Sequence, residues 1–193
     1  MRYEPKDIYF RRAKAEGYVA RSVYKLKEID ARYRLLKPGD CVIDLGAAPG
    51  SWSQYVVEKC GKGAEVCAID LQPLGWYSPQ VHFYQLDVFS SEVEAILSQK
   101  RWRGVLSDMA PLTTGSRPTD QARSAALVER SLVLAESFLL PGGFWVAKLL
   151  EGPELPRLLN KAKKVFRETF IFRPQSTRKG STECFLIGKD RYS

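Results

Sequence analysis

The chain has 193 residues, 45% of them hydrophobic and 27% charged, and a formal net charge of +8 at pH 7. This length is enough for one globular domain with a hydrophobic core. The first residues lack the apolar segment of a secretory signal, and no apolar run approaches the roughly 20 residues of a membrane-spanning helix. We therefore expect a cytoplasmic protein without a membrane segment.

The positive charge is concentrated at the two ends of the chain. Residues 1–40 carry a net charge of +5, residues 41–160 carry −3 and residues 161–193 carry +6. Basic flanks favour a polyanionic partner, most simply a nucleic acid, over an ordinary solvated basic surface. Tyr18 and Tyr24 could stack on bases, with core packing as the alternative. The candidates for phosphate contacts are Arg11, Arg12, Lys14, Arg21, Lys161, Lys163, Lys164, Arg178 and Lys179.

The hydrophobic pattern predicts helices and strands in alternation. In chain order, the predicted elements are a helix at 7–36, a strand at 41–45, a helix at 52–60, strands at 64–70 and 81–86, a helix at 92–99, a strand at 104–108, a helix at 122–140, a strand at 144–149, a helix near 155–166 and strands at 169–172 and 183–188. This α/β alternation predicts a mostly parallel sheet with helices on both faces. The short connection between the last two strands predicts that one strand is antiparallel.

No repeat or low-complexity linker interrupts this pattern. We expect residues 1–193 to form one domain, with a basic helical extension at 1–40 and a catalytic core at 41–193. The four cysteines form no CxxC pair, so buried thiols are favoured over disulfides or a zinc site. No other cluster of metal-ligand residue types is visible, and no metal is expected.

Acidic residues stand at or just after the carboxyl ends of four successive predicted strands: Asp44, Asp70, Asp87 and Asp108. Ligands of parallel sheets bind at this edge, so the four acids are expected to converge on one crevice. Asp70 is placed to accept hydrogen bonds from both hydroxyls of a ribose, and Asp87 to meet an adenine amino group.

The loop after the first strand reads GAAPG, in which Gly46 and Gly50 let the backbone approach a ligand. It departs from the GxGxxG pattern of dinucleotide sites, and the acids would repel a pyrophosphate. A nicotinamide-linked dehydrogenase is therefore disfavoured. S-adenosylmethionine fits better, because it joins an adenosine to a sulfonium and an ammonium group.

Three further charged residues are candidates for chemistry. Lys148 interrupts the apolar strand GFWVAKLL, where a lysine is rare unless it is functional or reaches solvent at the strand end. Lys25 and Glu183 are compatible with ordinary surface positions when taken alone. Near Asp108, the three would form a cluster of alternating charge.

Five segments together resemble the FtsJ-type ribose 2′-O-methyltransferases: RSVYKLKEID, VIDLGAAPGSWSQYV, LSDMAP, FWVAKLLEG and STECFLIG. The resemblance runs from about Tyr18 to Gly188 and implies a Rossmann-like sheet of seven strands with one antiparallel strand. It implies methyl transfer from S-adenosylmethionine to a ribose 2′-hydroxyl of RNA, with a uridine of large-subunit ribosomal RNA as the first expectation. A tRNA or mRNA-cap ribose as substrate, or a non-catalytic RNA-binding module, is the alternative.

The resemblance also implies roles for individual positions. Within the implied catalytic set, Asp108 would contact the methionine end of the cofactor and orient Lys148, which would accept the hydroxyl proton or hold the oxygen. Ser51 departs from the family, where glycine is common. The expected partner is ribosomal RNA or the large ribosomal subunit, with no obligate protein partner. The implied cofactor residues are Gly46, Gly50, Trp52, Asp70, Asp87 and Asp108, and the implied catalytic residues are Lys25, Asp108, Lys148 and Glu183.

Overall fold

The computed structural model describes residues 6–177 and 180–193. Within these ranges the strands are β1 (Cys41–Leu45), β2 (Glu65–Asp70), β3 (Val81–Gln85), β4 (Trp102–Ser107), β5 (Leu139–Leu150), β6 (Phe166–Phe172) and β7 (Glu183–Arg191). The α-helices are α1 (Lys6–Ala15), α2 (Val23–Tyr33), α3 (Ser51–Cys60), α4 (Ser91–Leu97), α5 (Arg117–Phe138) and α6 (Leu155–Val165). The strands form one sheet in the order β3-β2-β1-β4-β5-β7-β6.

The sheet is parallel from β3 to β5, and β7 runs antiparallel to both β5 and β6. The expected mostly parallel sheet of seven strands with one antiparallel strand is therefore confirmed. Glu183, the first residue of β7, pairs in register with Leu150, the last residue of β5. The start of β7 thus lies at the same edge as the carboxyl ends of the parallel strands, which we call the active edge.

Helices cover both faces of the sheet through two apolar clusters. On one face, α4, α5 and α6 contribute Leu97, Leu132 and Leu158. On the other face, Leu26 of α2 packs in the same cluster as Val56 of α3. Because α2 packs against the sheet through this cluster, the position of the helix relative to the sheet is fixed.

The helical region expected at 7–36 is interrupted, because α1 and α2 are separate helices. Gly17 adopts φ +80°, a conformation that ends a helix readily only at glycine. The Tyr18 N–H donates to the carbonyl of Ala13 at 2.8 Å as the chain leaves α1. Residues 16–22 then cross to the active edge, where α2 begins.

The bounds of two later elements also differ from expectation. The Pro141-Gly142-Gly143 segment lies within β5 instead of preceding it, and the pairing of β4 with β5 shifts register between Trp102 and Gly104. α5 begins at Arg117, five residues before the expected start. Its second residue is Pro118, which suits the first turn of a helix.

Candidate active site

Four charged residues that the sequence analysis identified as candidates for catalysis lie together at the active edge. Asp108 directly follows β4, and Lys148 lies on the adjacent β5, two residues before its end. Glu183 opens β7, the next strand in the sheet. Lys25 reaches the same edge from the first turn of α2.

Four of these side chains form a continuous chain of alternating charge, which we call the ion-pair chain. Lys148 Nζ lies 2.9 Å from Oδ1 of Asp108. Lys25 Nζ lies 3.6 Å from the same oxygen and 2.7 Å from Oε1 of Glu183. The structure therefore brings together all four residues that the family resemblance implies as a catalytic set, and their catalytic role stays a prediction.

The ion-pair chain is largely shielded from water, since its side chains are 9–15% exposed. Two cations balance two anions, so each charge is compensated where solvation is poor. A lysine has three donor positions. Within the described residues, Lys148 Nζ donates to the backbone carbonyl of Asp108 and forms an ion pair with its Oδ1. The remaining donor positions can meet a substrate oxygen.

A cavity of about 300 Å³ opens beside the ion-pair chain, and we call it the donor cavity. Asp70, Asp87 and Asp108 line it together with Gly46. The remaining wall is mostly apolar, with Ile69, Leu71, Leu86, Val88, Met109 and Leu127. Carboxylates on an otherwise apolar wall suit a ligand with a flat base, hydroxyl groups and a positive charge.

Backbone hydrogen bonds fix the two acids expected to hold a nucleoside. Asp70 accepts from the N–H of Ala48 at 2.9 Å and from the N–H of Gln72 at 2.8 Å. Asp87 accepts from the N–H of Phe89 at 3.0 Å. A carboxylate has about four acceptor sites, so each acid retains capacity for a ligand hydroxyl or amino group.

The two loop glycines have different roles. Gly46 adopts φ +73°, and a Cβ there would lie 2.8 Å from the backbone nitrogen of Met109, so no larger side chain fits. Gly50 adopts φ +117° just before α3 and lies outside the residues that line the donor cavity. Gly50 therefore shapes the loop, and its predicted cofactor contact remains a prediction.

The indole of Trp52 points away from the donor cavity. Its Nε1 donates to the carbonyl of Ser22 at 2.9 Å, and its ring lies 5.9 Å from that of Phe185 in the core. The side chain is 3% exposed. Any contact of Trp52 with a cofactor would therefore come from its backbone, and the cofactor role implied for this residue remains a prediction.

Ser51, the departure from the family pattern, makes a specific contact. Its Oγ lies 2.9 Å from Oγ of Ser22, beside the bond from Trp52 to the same residue. These bonds join the first turn of α3 to the turn that precedes α2. Sequence reasoning missed this connection, because no local pattern links residues so far apart.

Asp44 does not line the donor cavity, so the expected convergence of four acids is wrong for this residue. Successive residues of a strand face opposite sides of a sheet. Asp44 faces α3 and accepts a hydrogen bond from Ser53 Oγ at 2.7 Å, whereas Ile43 packs on the other face. Complete burial raises the pKa of Asp44 to about 7, although the bond from Ser53 acts in the opposite direction.

Asp120 stabilises the active edge, although sequence reasoning missed it. Its Oδ1 accepts from the N–H and the hydroxyl of Thr114 at 2.8 and 2.9 Å. The backbone hydrogen bond from Thr114 is the main cause that lowers the pKa of Asp120. These bonds fix the loop between Asp108 and α5. The sequence signal for this contact is an acidic residue in the first turn of α5 that follows two adjacent threonines.

The basic residues expected to contact phosphates do not all lie at the active edge. α6 leads into Phe166, which pairs with Arg191 at the far end of β7. The last-turn residues Lys163 and Lys164 therefore lie near the opposite edge of the sheet. Lys161 is paired with Glu129. Two more candidates, Arg178 and Lys179, lie outside the described residues.

Tyr18 and Tyr24 pack in the protein core, so their rings are not exposed for stacking on RNA bases. Both are buried, and Lys27 Nζ lies 4.3 Å from the centre of the Tyr18 ring and 5.6 Å from that of Tyr24. The Tyr18 hydroxyl donates to Glu58 on α3. Core packing, the alternative in the sequence analysis, is therefore what the structure shows.

Within residues 6–177 and 180–193, no group of three or more His, Cys, Asp or Glu side chains is arranged to hold a metal ion. In the same ranges, no helix combines the length and the apolar composition that crossing a bilayer requires.

Curated proteins of similar sequence match nearly the whole length of this chain. The "Ribosomal RNA large subunit methyltransferase E" of Sorangium cellulosum is 44% identical over 190 residues, which cover 98% of this chain and 90% of that protein. The protein of the same name from Syntrophobacter fumaroxidans is 46% identical over 191 residues, covering 97% of each.

Solved structures share the fold. A crystal structure from Plasmodium falciparum, provisionally assigned as a ribosomal RNA methyltransferase, superposes with a TM-score of 0.79 at 26% identity. The match covers 91% of this chain and 100% of that one. A Streptococcus thermophilus protein provisionally assigned as a haemolysin has a TM-score of 0.63 at 17% identity, covering 91% of this chain and 68% of that one, which shows the fold alone.

A family profile matches the chain across the same elements that build the active edge. The profile describes FtsJ-like methyltransferases, and the match spans residues 18–191. This span includes the ion-pair chain, the donor cavity and all seven strands. The chain therefore belongs to the FtsJ-like methyltransferase family.

Proposed function

We propose that this chain transfers a methyl group from S-adenosylmethionine to a ribose 2′-hydroxyl of large-subunit ribosomal RNA, with a uridine as the expected target. The curated relatives are named as methyltransferases of large-subunit ribosomal RNA, and the family description indicates that the reaction is methyl transfer. The observation that carries the proposal is the 2.9 Å contact of Lys148 with Asp108 beside an acid-lined cavity. The cytoplasm is the proposed compartment, because ribosomal RNA is the proposed substrate.

The residues of the donor cavity fit S-adenosylmethionine in both charge and shape. Asp70 and Asp87 have free acceptor capacity for ribose hydroxyls and an adenine amino group, and Asp108 is an anion suited to the cationic methionine end. Gly46 leaves room where a Cβ would meet Met109. When bound, S-adenosylmethionine supplies a methyl group on a positively charged sulfur, which is an activated donor.

The protein would align the substrate oxygen with the methyl group and would assist the removal of one proton from the 2′-hydroxyl. Asp108 holds Lys148 through its carboxylate and its backbone carbonyl, so Nζ is fixed next to the donor cavity. Lys148 would accept the proton of the 2′-hydroxyl, or, as a cation, orient the oxygen while the proton leaves to water. Lys25 and Glu183 would hold Asp108 in place. Orientation of this kind can contribute roughly 7–11 kcal/mol to a reaction barrier.

Transfer of a radiolabelled methyl group tests the function directly. Large ribosomal subunits, free ribosomal RNA and tRNA from cells lacking the modification would be offered in parallel, and nucleoside digestion would identify the methylated sugar. We expect a 2′-O-methylnucleoside in large-subunit RNA. Label in tRNA alone would replace the substrate, and label on a base would refute the ribose reaction.

Asp70→Asn should weaken cofactor binding without changing the rate at saturating cofactor. An amide has a single acceptor oxygen and cannot accept from both Ala48 and Gln72 while meeting a ribose. Loss of one such bond costs about 1–3 kcal/mol, so we expect the Kd for S-adenosylmethionine to rise about 10- to 100-fold. Calorimetric titration measures this. A change in kcat with an unchanged Kd would contradict the assigned role.

A further inference from the structure

The strand that carries Lys148 loses one of its two neighbouring strands just before this residue. The ladder between β4 and β5 ends at the pair of Ser107 and Ala147. On the other side, the ladder between β5 and β7 continues to the pair of Leu150 and Glu183. Within the described residues, the part of β5 from Lys148 onward therefore has a neighbouring strand on the β7 side alone.

Beyond the end of β4, two side chains of α5 form hydrogen bonds with the backbone that follows Lys148. Ser124 Oγ accepts from the N–H of Leu150 at 2.9 Å. The side chain of Gln121 donates to the carbonyl of Glu151, the next residue. Positions 121 and 124 are three residues apart, so both lie on the same face of the helix. We call these two hydrogen bonds the α5 contacts.

Ser124 is a polar side chain in apolar surroundings. It is 1% exposed. Ala125 and Val128 of the same helix belong to the apolar cluster that α5 shares with the sheet. A buried N–H group without a hydrogen-bond partner costs free energy. Removing the Ser124 hydroxyl would leave the N–H of Leu150 without this acceptor, so the end of β5 would be held less firmly.

The same part of α5 also fixes the segment that follows Asp108. Asp120, the neighbour of Gln121, accepts the two hydrogen bonds from Thr114 described above. The first turns of one helix are thus bonded to the chain after Asp108 and to the chain after Lys148. Because a helix is a rigid element, these bonds fix the two segments relative to each other.

We propose that Ser124 and Gln121 are positioning residues that hold the Lys148 amine in place for methyl transfer. This inference deepens the proposed function and rests on it. Leu149 packs in the apolar cluster that α5 shares with the sheet, so the preceding residue, Lys148, projects from the opposite face of β5. The α5 contacts therefore act on the amine through the backbone of β5. A displacement of about 1 Å at a reacting group can lower a rate about 10²-fold.

Ser124→Ala tests the assignment, with Ser131→Ala as the matched control. Ser131 is also buried on α5, about two turns further along, and its Oγ accepts from Nε1 of Trp145 on β5 at 3.0 Å. Each variant removes one hydroxyl that bonds α5 to β5, so we expect similar decreases in Tm, of about 3–10 °C.

The two serine variants should differ in turnover. With large ribosomal subunits as substrate, we expect Ser124→Ala to lower kcat about 10- to 100-fold. KM and the Kd for S-adenosylmethionine should stay within about threefold of the wild type, because the α5 contacts lie outside the donor cavity. Ser131→Ala should keep kcat within about twofold of the wild type.

Gln121→Met covers the case in which Ser124→Ala fails to fold. Methionine keeps an unbranched side chain and removes the amide that donates to Glu151, at a position that is only partly buried. We expect kcat to fall about 3- to 10-fold at an unchanged Kd for S-adenosylmethionine. A kcat equal to that of Ser131→Ala in the variants that fold, or equal losses in kcat and cofactor affinity, would overturn the proposal.

The chemical shift of Lys148 Nζ separates this inference from the proposed function, because measuring it requires no turnover. NMR of protein made with isotopically labelled lysine would record the signal, and Lys148→Met would identify it. We expect Ser124→Ala to move this signal and Ser131→Ala to leave it in place. If the wild type transfers no methyl group but Ser124→Ala moves the signal, the proposed reaction fails and the placement of Lys148 by α5 stands. If methyl transfer occurs and Ser124→Ala matches the control in both signal and kcat, the positioning role fails and the reaction stands.

Discussion

Replacing Lys148 with methionine should lower kcat by about 10²–10⁴-fold while the Kd for S-adenosylmethionine changes less than about threefold. Methionine keeps the unbranched stem that lies among buried neighbours on β5 and removes the amine that contacts Asp108. The donor cavity is lined by Asp70, Asp87 and Asp108 but not by Lys148. Loss of turnover without loss of cofactor binding is therefore the signature of a residue that acts on the substrate oxygen.

Two further variants sharpen the interpretation of Lys148. Lys164→Met removes a lysine near the opposite edge of the sheet and should leave kcat unchanged. Lys148→Arg keeps a charge that does not leave the side chain at any working pH. Activity of Lys148→Arg well above that of Lys148→Met would favour a cation that orients the oxygen, whereas equal loss favours proton acceptance. Equal losses in kcat and cofactor affinity for Lys148→Met would instead indicate a structural role.

The predictable part of the fold came from local signals. The apolar run between turn residues predicts a strand at Cys41–Leu45, and β1 has those bounds, because such a run indicates a strand without information from any distant part of the chain. Lys148 stood out because a charge interrupts an apolar strand. Asp70 and Asp108 could be placed together because the carboxyl ends of parallel strands meet at one edge.

The missed features depend on contacts between distant parts of the chain. Glu28 fixes a loop that lies 147 residues away from it in sequence. The indole of Trp52 turns towards Ser22, which no pattern around residue 52 indicates. The break between α1 and α2 had a local signal in Gly17, but an isolated glycine is also tolerated within helices. The burial of Tyr18 beside α3 decides between the two outcomes.

The ion-pair chain explains why a buried lysine is tolerated at the active edge. A single ammonium group removed from water is strongly destabilising, and a single ion pair only partly compensates for the lost hydration. Here Asp108 lies between Lys25 and Lys148, and Lys25 in turn lies between Asp108 and Glu183. Each charge is thus stabilised by its neighbours, and the ammonium group of Lys148 can remain buried beside the donor cavity.

Asp44 makes the stability of the protein depend on pH in a direction opposite to that of a salt-bridged acid. Burial raises the pKa of Asp44 in the folded state to about 7, from 3.8 in an exposed chain. The folded protein therefore binds this proton more tightly than the unfolded chain does. The associated stability is fully present below about pH 4 and is lost as pH rises to about 7. The difference between the two pKa values corresponds to about 4 kcal/mol.

Asp44→Asn should therefore become more stable relative to the wild type as pH rises from about 4 to 7, with a constant difference above that range. For a chain of this length, about 4 kcal/mol corresponds to a relative shift in Tm on the order of 10 °C, measured by thermal unfolding at a series of pH values. Ser53→Ala removes the hydrogen bond that lowers the Asp44 pKa in the folded state, so the upper end of this pH window should rise, whereas the lower end, which the unfolded chain sets, should not change. A difference in Tm between Asp44→Asn and the wild type that is the same at every pH would contradict this prediction, because it would show that Asp44 is ionised in the folded protein throughout the range. Asp70, Asp87 and Asp108, which line the donor cavity, would then lie near a fourth permanent negative charge.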